Sequence, residues 1–191
     1  SVQVHPDDEY AACHVGADAK TEMWYILDCD SDASLYYGFK RDITKQEYQD
    51  AIKSNTITDI LNKVPVHKGD VFFIPAGTVH AIGAGILICE IQQNSNTTYR
   101  VYDYDRRDKD GNKRELHISE ALEASNLKKS ASFNSAPDGD DVILAQCDYF
   151  TVRRLQIQNK AQLRIDETSF HSLIITDGRG ELYMGEESLE L

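Results

Sequence analysis

Apolar residues fall along this chain in short runs that alternate with polar positions, and long helical arcs are rare. Runs rich in Val, Ile, Tyr and Phe, closed by Gly, Pro, Asn or Asp, predict strands over 2–4, 22–28, 34–38, 71–74, 81–83, 86–92, 98–103, 142–145, 150–157, 170–176 and 180–184. Three stretches break the pattern. Thr44-Lys45-Gln46-Glu47 is a capping box, in which hydroxyl and carboxylate each reach an orphan backbone N–H, and it starts a helix to about Lys53. Shorter helices are expected over 59–62 and 119–124. Many short strands with few helices predict an all-β sandwich or barrel.

Residues 130–141, "SASFNSAPDGDD", are small, polar and turn-rich, and read as a linker. The expected organisation is therefore a first domain over 1–129, the linker, and a second β unit over 142–191. In that second unit Asp177-Gly178-Arg179-Gly180 offers the positive φ angles of a tight hairpin. The chain starts inside what reads as a strand and stops as the second unit begins. We expect it to be part of a longer protein, with further strands on either side.

Composition narrows the class. A chain of 191 residues, 41% hydrophobic, fits a globular domain with a sizeable core. The net charge of −12 argues against a nucleic-acid partner, which needs a basic face, but leaves room for a small anionic substrate beside a metal ion. No apolar run approaches the ~20 residues that span a bilayer, so no membrane partner is expected. Cys13, Cys29, Cys89 and Cys147 are widely spaced without a CxxC pair, and read as buried free thiols of a cytoplasmic protein. The Asn96-Thr97-Thr98 triplet matches a glycosylation sequon, but nothing else suggests secretion.

Candidate chemistry concentrates at two places. In "KGDVFFIPAGTVHAIGAG" the positions Gly69, Pro75, Gly77 and His80 have the spacing G-x5-P-x-G-x2-H, which matches the second cupin motif. Alone, His80 would pass for an incidental histidine on a hairpin. Near the start, Gln3 and His5 share one face of a strand, because side chains alternate with period two. Glu22 opens the next strand. Singly, Gln3 and Glu22 would read as solvated strand residues; with His5 and His80 they form an O/N donor set suited to a borderline divalent ion such as Zn²⁺. His14, His67, His117 and His171 lack ligand partners at a recognisable spacing, Asp7 and Asp8 read as capping the turn after Pro6, and Asp108-Lys109-Asp110-Gly111 reads as a charged hairpin turn.

The stretches "QVHPDDEYA", "KTEMWYILD", "PAGTVHAIGAG" and "QQNSNTTYRVYDYDR" together resemble type I mannose-6-phosphate isomerases of the short bacterial form, over nearly the whole chain. The resemblance implies a cupin fold, a jelly-roll-like β-barrel followed by an incomplete second cupin-like unit. It implies one zinc per chain held by Gln3, His5, Glu22 and His80. It places an active-site arginine at Arg100, a substrate-binding lysine at Lys20, and makes the acidic Glu90 a candidate base for moving the proton. The implied reaction interconverts mannose 6-phosphate and fructose 6-phosphate through an enediolate. Arg100 would stabilise developing charge or clamp the phosphate, with Lys20 as the alternative clamp. Without the resemblance, Arg100 reads as a strand-edge ion pair with Asp103 or Asp105. Two other readings stay open: a cupin that binds a metal or phosphosugar without catalysis, and, less well matched, an Fe(II) oxygenase. The sequence carries no signature of oligomeric state.

Overall fold

The computed structural model describes residues 1–191. In chain order the elements are β1 (Val2–Val4), α1 (Asp8–Cys13), β2 (Glu22–Cys29), β3 (Ser34–Phe39), α2 (Lys45–Lys53), α3 (Ile57–Ile60), β4 (Leu61–Pro65), β5 (Asp70–Ile74), β6 (His80–Ala81), β7 (Ile86–Gln92), β8 (Tyr99–Tyr102), α4 (Ile118–Ala124), β9 (Asn134–Ser135), β10 (Asp141–Gln146), β11 (Thr151–Leu155), β12 (Glu181–Met184) and β13 (Glu187–Glu190). The all-β expectation holds: strands dominate and the helices are short. A five-stranded sheet runs β4-β3-β6-β1-β8 and a four-stranded sheet β7-β2-β5-β9, with every paired ladder antiparallel.

Alternation along each strand assigns its side chains to layers. Val2, Val4, Val79, Ala81 and Val101 of the first sheet turn toward the helices and meet Tyr48, Ile52, Ile57 and Ala121 in one core cluster. Leu35, Tyr37 and Val64 face the other way and pack on Trp24, Ile26, Phe72 and Ile74 of the second sheet. The outer side of that second sheet carries Met23 and Val71, covered by Ala145, Leu144, Phe150 and Val152 from β10, β11 and their connection. Gly38 (φ +59°) marks a register shift in β3, a bulge that lets Tyr37 face the second sheet while Phe39 faces the helices. A Cβ at Gly38 would lie 1.6 Å from Ser130 Oγ, so no larger residue fits there.

Several local expectations are corrected. The short helix expected over 59–62 lies two residues earlier: α3 ends at Ile60, and Leu61 begins β4, whose pairing with β3 buries Leu61 and Val64. Asp7 caps a full helix rather than a turn, accepting from Tyr10 N at 2.8 Å. The segment 130–141 is not a free linker. Phe133 stacks on Phe72 at 4.6 Å, β9 pairs with β5, and Ser135 Oγ donates to Asp70 at 3.1 Å, so the first compact unit continues to Leu155. None of the four free cysteines is fully buried, because Cys13 faces solvent on α1 and the others sit half-buried at strand ends and edges.

The second compact unit is Gln156–Leu191. Its ladder is the β12–β13 hairpin, which turns at Gly185 (φ +65°), not at the DGRG sequence. The run 170–176 forms no strand; Phe170, Leu173, Ile174 and Ile175 are exposed and lack a ladder partner within this chain.

Candidate metal centre

The site lies between the two sheets. In β1, Val2 and Val4 point to the helices, so Gln3, and His5 just past the strand end, point toward the second sheet. Gln3 is paired with His80 of β6 on one side and Arg100 of β8 on the other. A cross-strand row of His80, Gln3 and Arg100 therefore shares one face. Glu22 enters from β2 of the opposite sheet, preceded by Lys20. Gly77 explains the glycine of the P-x-G-x2-H spacing. It sits at φ +83°, its N–H donates to His5 O at 2.8 Å, and its carbonyl accepts from Asn126 N, which ties the His5 and His80 segments together.

His5, Glu22 and His80 are each 1% exposed, and their ligand atoms lie within 4.8 Å of one another. His5 Nε2 is 3.2 Å from Glu22 Oε1, His80 Nε2 is 3.5 Å from Glu22 Oε2, and Gln3 Nε2 is 3.4 Å from His80 Nε2. The opposite amide rotamer of Gln3 would present its oxygen at that position. Lys20 Nζ lies 2.7 Å from Glu22 Oε1.

Backbone carbonyls orient both imidazoles. His5 Nδ1 donates to Thr97 O at 2.7 Å and His80 Nδ1 to Thr78 O at 2.8 Å. With a proton held at Nδ1, a ring in its neutral form turns an Nε2 lone pair toward the carboxylate. Lone pairs facing a carboxylate repel unless a cation or extra protons lie between them. His5 Nε2 and both Glu22 oxygens are buried and, despite their ion-pair distances, make no well-formed hydrogen bond. Burial tends to raise the Glu22 carboxyl, but the contacts with His5, His80 and Lys20 overcome it and bring it down to about 2. Burial lowers His80 to about 4 against the opposing pull of Glu22, so at neutral pH it keeps its lone pair. Orphaned, convergent N and O donors with fixed tautomers fit a divalent metal ion.

The remaining sequence-predicted residues surround this cluster. Arg100 pairs with neither Asp103 nor Asp105. Its Nη1 donates to Glu115 O at 3.1 Å, and its Nε is buried without a partner. Asp103 is instead held by Arg106 and Arg114, and Asp105 by Lys113. Glu90 Oε1 accepts from Trp24 Nε1 at 2.7 Å. Trp24 is a site residue that sequence reasoning missed; its buried indole stands edge-on to His80, centroids 5.3 Å apart. The available signal was Trp24 two positions after Glu22 on one strand face. His14 stacks on Tyr10 and pairs with Glu123, and His117 accepts from Arg100 N, so neither joins the cluster. A groove of about 600 Å³ over Tyr10, Asp18, Asn96 and Tyr99 also excludes the donor set, though it shares Thr97 with the His5 contact.

Two antiparallel sheets enclosing a buried donor set from β1, β2 and β6 define a cupin with a site able to hold a metal ion. Known proteins agree. No protein-family model matches the chain. The chain is 41% identical to the mannose-6-phosphate isomerase ManA of Bacillus subtilis, over 97% of its own length and 60% of that protein. It is 39% identical to the mannose-6-phosphate isomerase of Streptococcus mutans, over 100% of its length and 61% of that protein. The crystal structure of mannose 6-phosphate isomerase from Bacillus subtilis superposes with a TM-score of 0.84 at 33% identity, covering all of this chain and 62% of that one. A variant of phosphomannose isomerase from Salmonella typhimurium, 14% identical, matches in fold with a TM-score of 0.65 over all of this chain and 68% of that one. Over its whole length the chain is similar to members of the mannose-6-phosphate isomerase family. It spans about 60% of the length of the relatives it matches. No helix is long and apolar enough to cross a membrane.

Proposed function

We propose that this chain carries the metal centre of a zinc-dependent aldose–ketose isomerase that interconverts mannose 6-phosphate and fructose 6-phosphate by proton transfer through an enediolate. One observation carries the reading: the ligand atoms of buried His5, Glu22 and His80 converge, and His5 Nε2 and both Glu22 oxygens lack a hydrogen-bond partner. Gln3, His5, Glu22 and His80 would hold one zinc per chain, which when bound polarises the sugar carbonyl.

The chain's own residues supply the rest. Thr97 O and Thr78 O hold the imidazole tautomers, so the donor set needs no rearrangement before use. Arg100, in the row with Gln3 and His80, has an unpartnered buried Nε and is assigned to the anionic part of the substrate, as phosphate clamp or as stabiliser of developing negative charge. Lys20 balances Glu22 and places an ammonium beside the cluster, where it can bind a sugar oxygen. Burial of the ligands limits water access and strengthens each of these interactions. The two sheets leave Arg100 and Glu90 on edge strands, β8 and β7, joined by the short 93–98 connection. Four unpaired cysteines support a cytoplasmic setting.

The test is metal analysis together with a coupled isomerase assay on the full-length protein. Zinc at one per chain and chelator-sensitive turnover support the reading. Bound zinc without turnover favours a cupin that binds the metal or phosphosugar and does no chemistry.

A further inference from the structure

We infer that Glu90 is a positioning residue for the ligand His80 and acts through Trp24. The inference rests on the metal reading above but concerns a different bond. Trp24 and Glu90 are direct cross-strand partners on β2 and β7, so both side chains leave the second sheet on the face that meets His80. Trp24 is 1% exposed. A buried indole N–H needs an acceptor, and Glu90 Oε1 provides one at 2.7 Å, a charge-assisted bond. The indole edge then stands against the His80 ring at 82°. His80 Nδ1 is pinned by Thr78 O, which fixes one end of the ring; Trp24 and His5, with centroids 5.3 and 5.0 Å away, limit its tilt. Without the Glu90 acceptor, Trp24 holds an unsatisfied donor and turns to satisfy it, and the wall behind His80 moves with it.

Glu90 itself lies on an edge strand and is exposed, so packing alone does not require a carboxylate there. What the Trp24 bond requires is an acceptor. A residue that moves the substrate proton must instead be an acid or base. Glutamine keeps the acceptor and removes the base, so it separates the two roles.

The experiment uses the full-length protein, unsubstituted and as Glu90→Gln and Glu90→Ala. It reads zinc affinity by competition with a chromophoric chelator, emission of the metal-free protein, and kcat and KM. Trp24 is the single tryptophan of these 191 residues, and the difference in emission between the protein with and without Trp24→Phe isolates its signal, which reports this bond. Glu90→Gln is expected to keep zinc affinity within about twofold, while Glu90→Ala lowers zinc affinity about tenfold. Glu90→Ala should also shift the emission maximum without metal. Trp24→Phe provides an independent arm: adding Glu90→Ala to it should lower zinc affinity no further. Unchanged affinity and emission in Glu90→Ala overturn the inference. So does a loss of turnover of about 100-fold or more in Glu90→Gln with zinc bound, a general-base signature. An unsubstituted protein that binds no zinc overturns the isomerase reading instead, before any substitution is compared.

Discussion

Two buried carboxylates in this fold have nearly opposite surroundings. Glu22 is 1% exposed and Asp103 is 6% exposed. Cationic and hydrogen-bonding neighbours hold both carboxyls below the usual carboxylate range: His5, His80 and Lys20 against the cost of burial for Glu22, and chiefly Arg114 with Arg106 for Asp103. That shared direction does not separate them; the hydrogen-bond inventory does. Asp103 accepts from Arg114 Nε at 2.7 Å and from Arg106 Nε at 3.1 Å, and both guanidinium groups reach outward to solvent. Its charge is complemented within the chain. Glu22 faces two imidazole lone pairs, with both oxygens short of well-formed bonds. Lys20, 2.7 Å from Oε1, balances its charge, yet both oxygens and the facing His5 Nε2 stay without well-formed bonds, which is the mark of a binding site rather than of a closed ion pair.

The strongest way to break this comparison is to add zinc to both variants. At zinc a thousandfold above its Kd, the unsubstituted protein should gain about 4 kcal/mol of unfolding free energy by linkage. Glu22→Gln should lose zinc affinity by more than about 100-fold, and with it at least about two-thirds of that gain. Asp103→Asn should keep the gain in full. Thermal unfolding with and without zinc measures all three. Equal zinc responses in the two variants would remove the distinction.

Acid titration of the metal-free protein sharpens it further. His80 is lowered to about 4 in the folded state, against about 6.5 in an unfolded chain. Between those values the unfolded chain binds a proton that the folded chain refuses, so stability falls as pH drops through that window, by about 3 kcal/mol. His80→Gln should flatten the slope between pH 6.5 and 4. The depressed Asp103 carboxyl has the other window. Its stabilisation is complete above the ordinary carboxylate pKa and is lost as pH falls below about 4. Asp103→Asn should therefore lower stability by a constant amount above about pH 4 and change the slope only in the acid limb below it. Denaturant melts at successive pH values distinguish the two windows.

The two centres also differed in how readable they were. Gln3 and His5 could be placed on one face by period two, and the G-x5-P-x-G-x2-H spacing singled out His80, because local backbone geometry dictates both patterns. The structure brings those residues together with Glu22 as the sequence implied. The Asp103 centre escaped notice. Arg106 and Arg114 reach it from three and eleven positions away across an irregular loop, and no periodicity encodes such a loop. The Trp24–Glu90 bond was hidden for a related reason: it depends on the register of two strands separated by 66 positions. Strands β4 and β9 were missed where tertiary pairing overrode weak local signals at Leu61 and Asn134. The apolar run 170–176 shows the converse. Its residues have strand propensity but no partner strand in this chain, and propensity alone forms no ladder.

The smallest predicted effects lie within the loop that carries Asp103. Asp103→Asn removes the charge on which two arginines converge. Because both guanidinium groups are about half exposed and can turn to water, the loss should be about 1–2 kcal/mol, less than a fully buried pair would cost. Lys113 and Asp105, in the same loop, also form an ion pair, but both are more than half exposed. Lys113→Ala should cost clearly less than Asp103→Asn, and added salt should erase even that. Urea melts of the two variants at low and high salt make the comparison. A loss in Lys113→Ala as large as in Asp103→Asn would mean that the number of ion pairs in this loop, and not the burial of one carboxylate, sets its contribution. A closed, structural centre at Asp103 predicts the opposite ranking, because the desolvated carboxylate is the group that has no alternative partner.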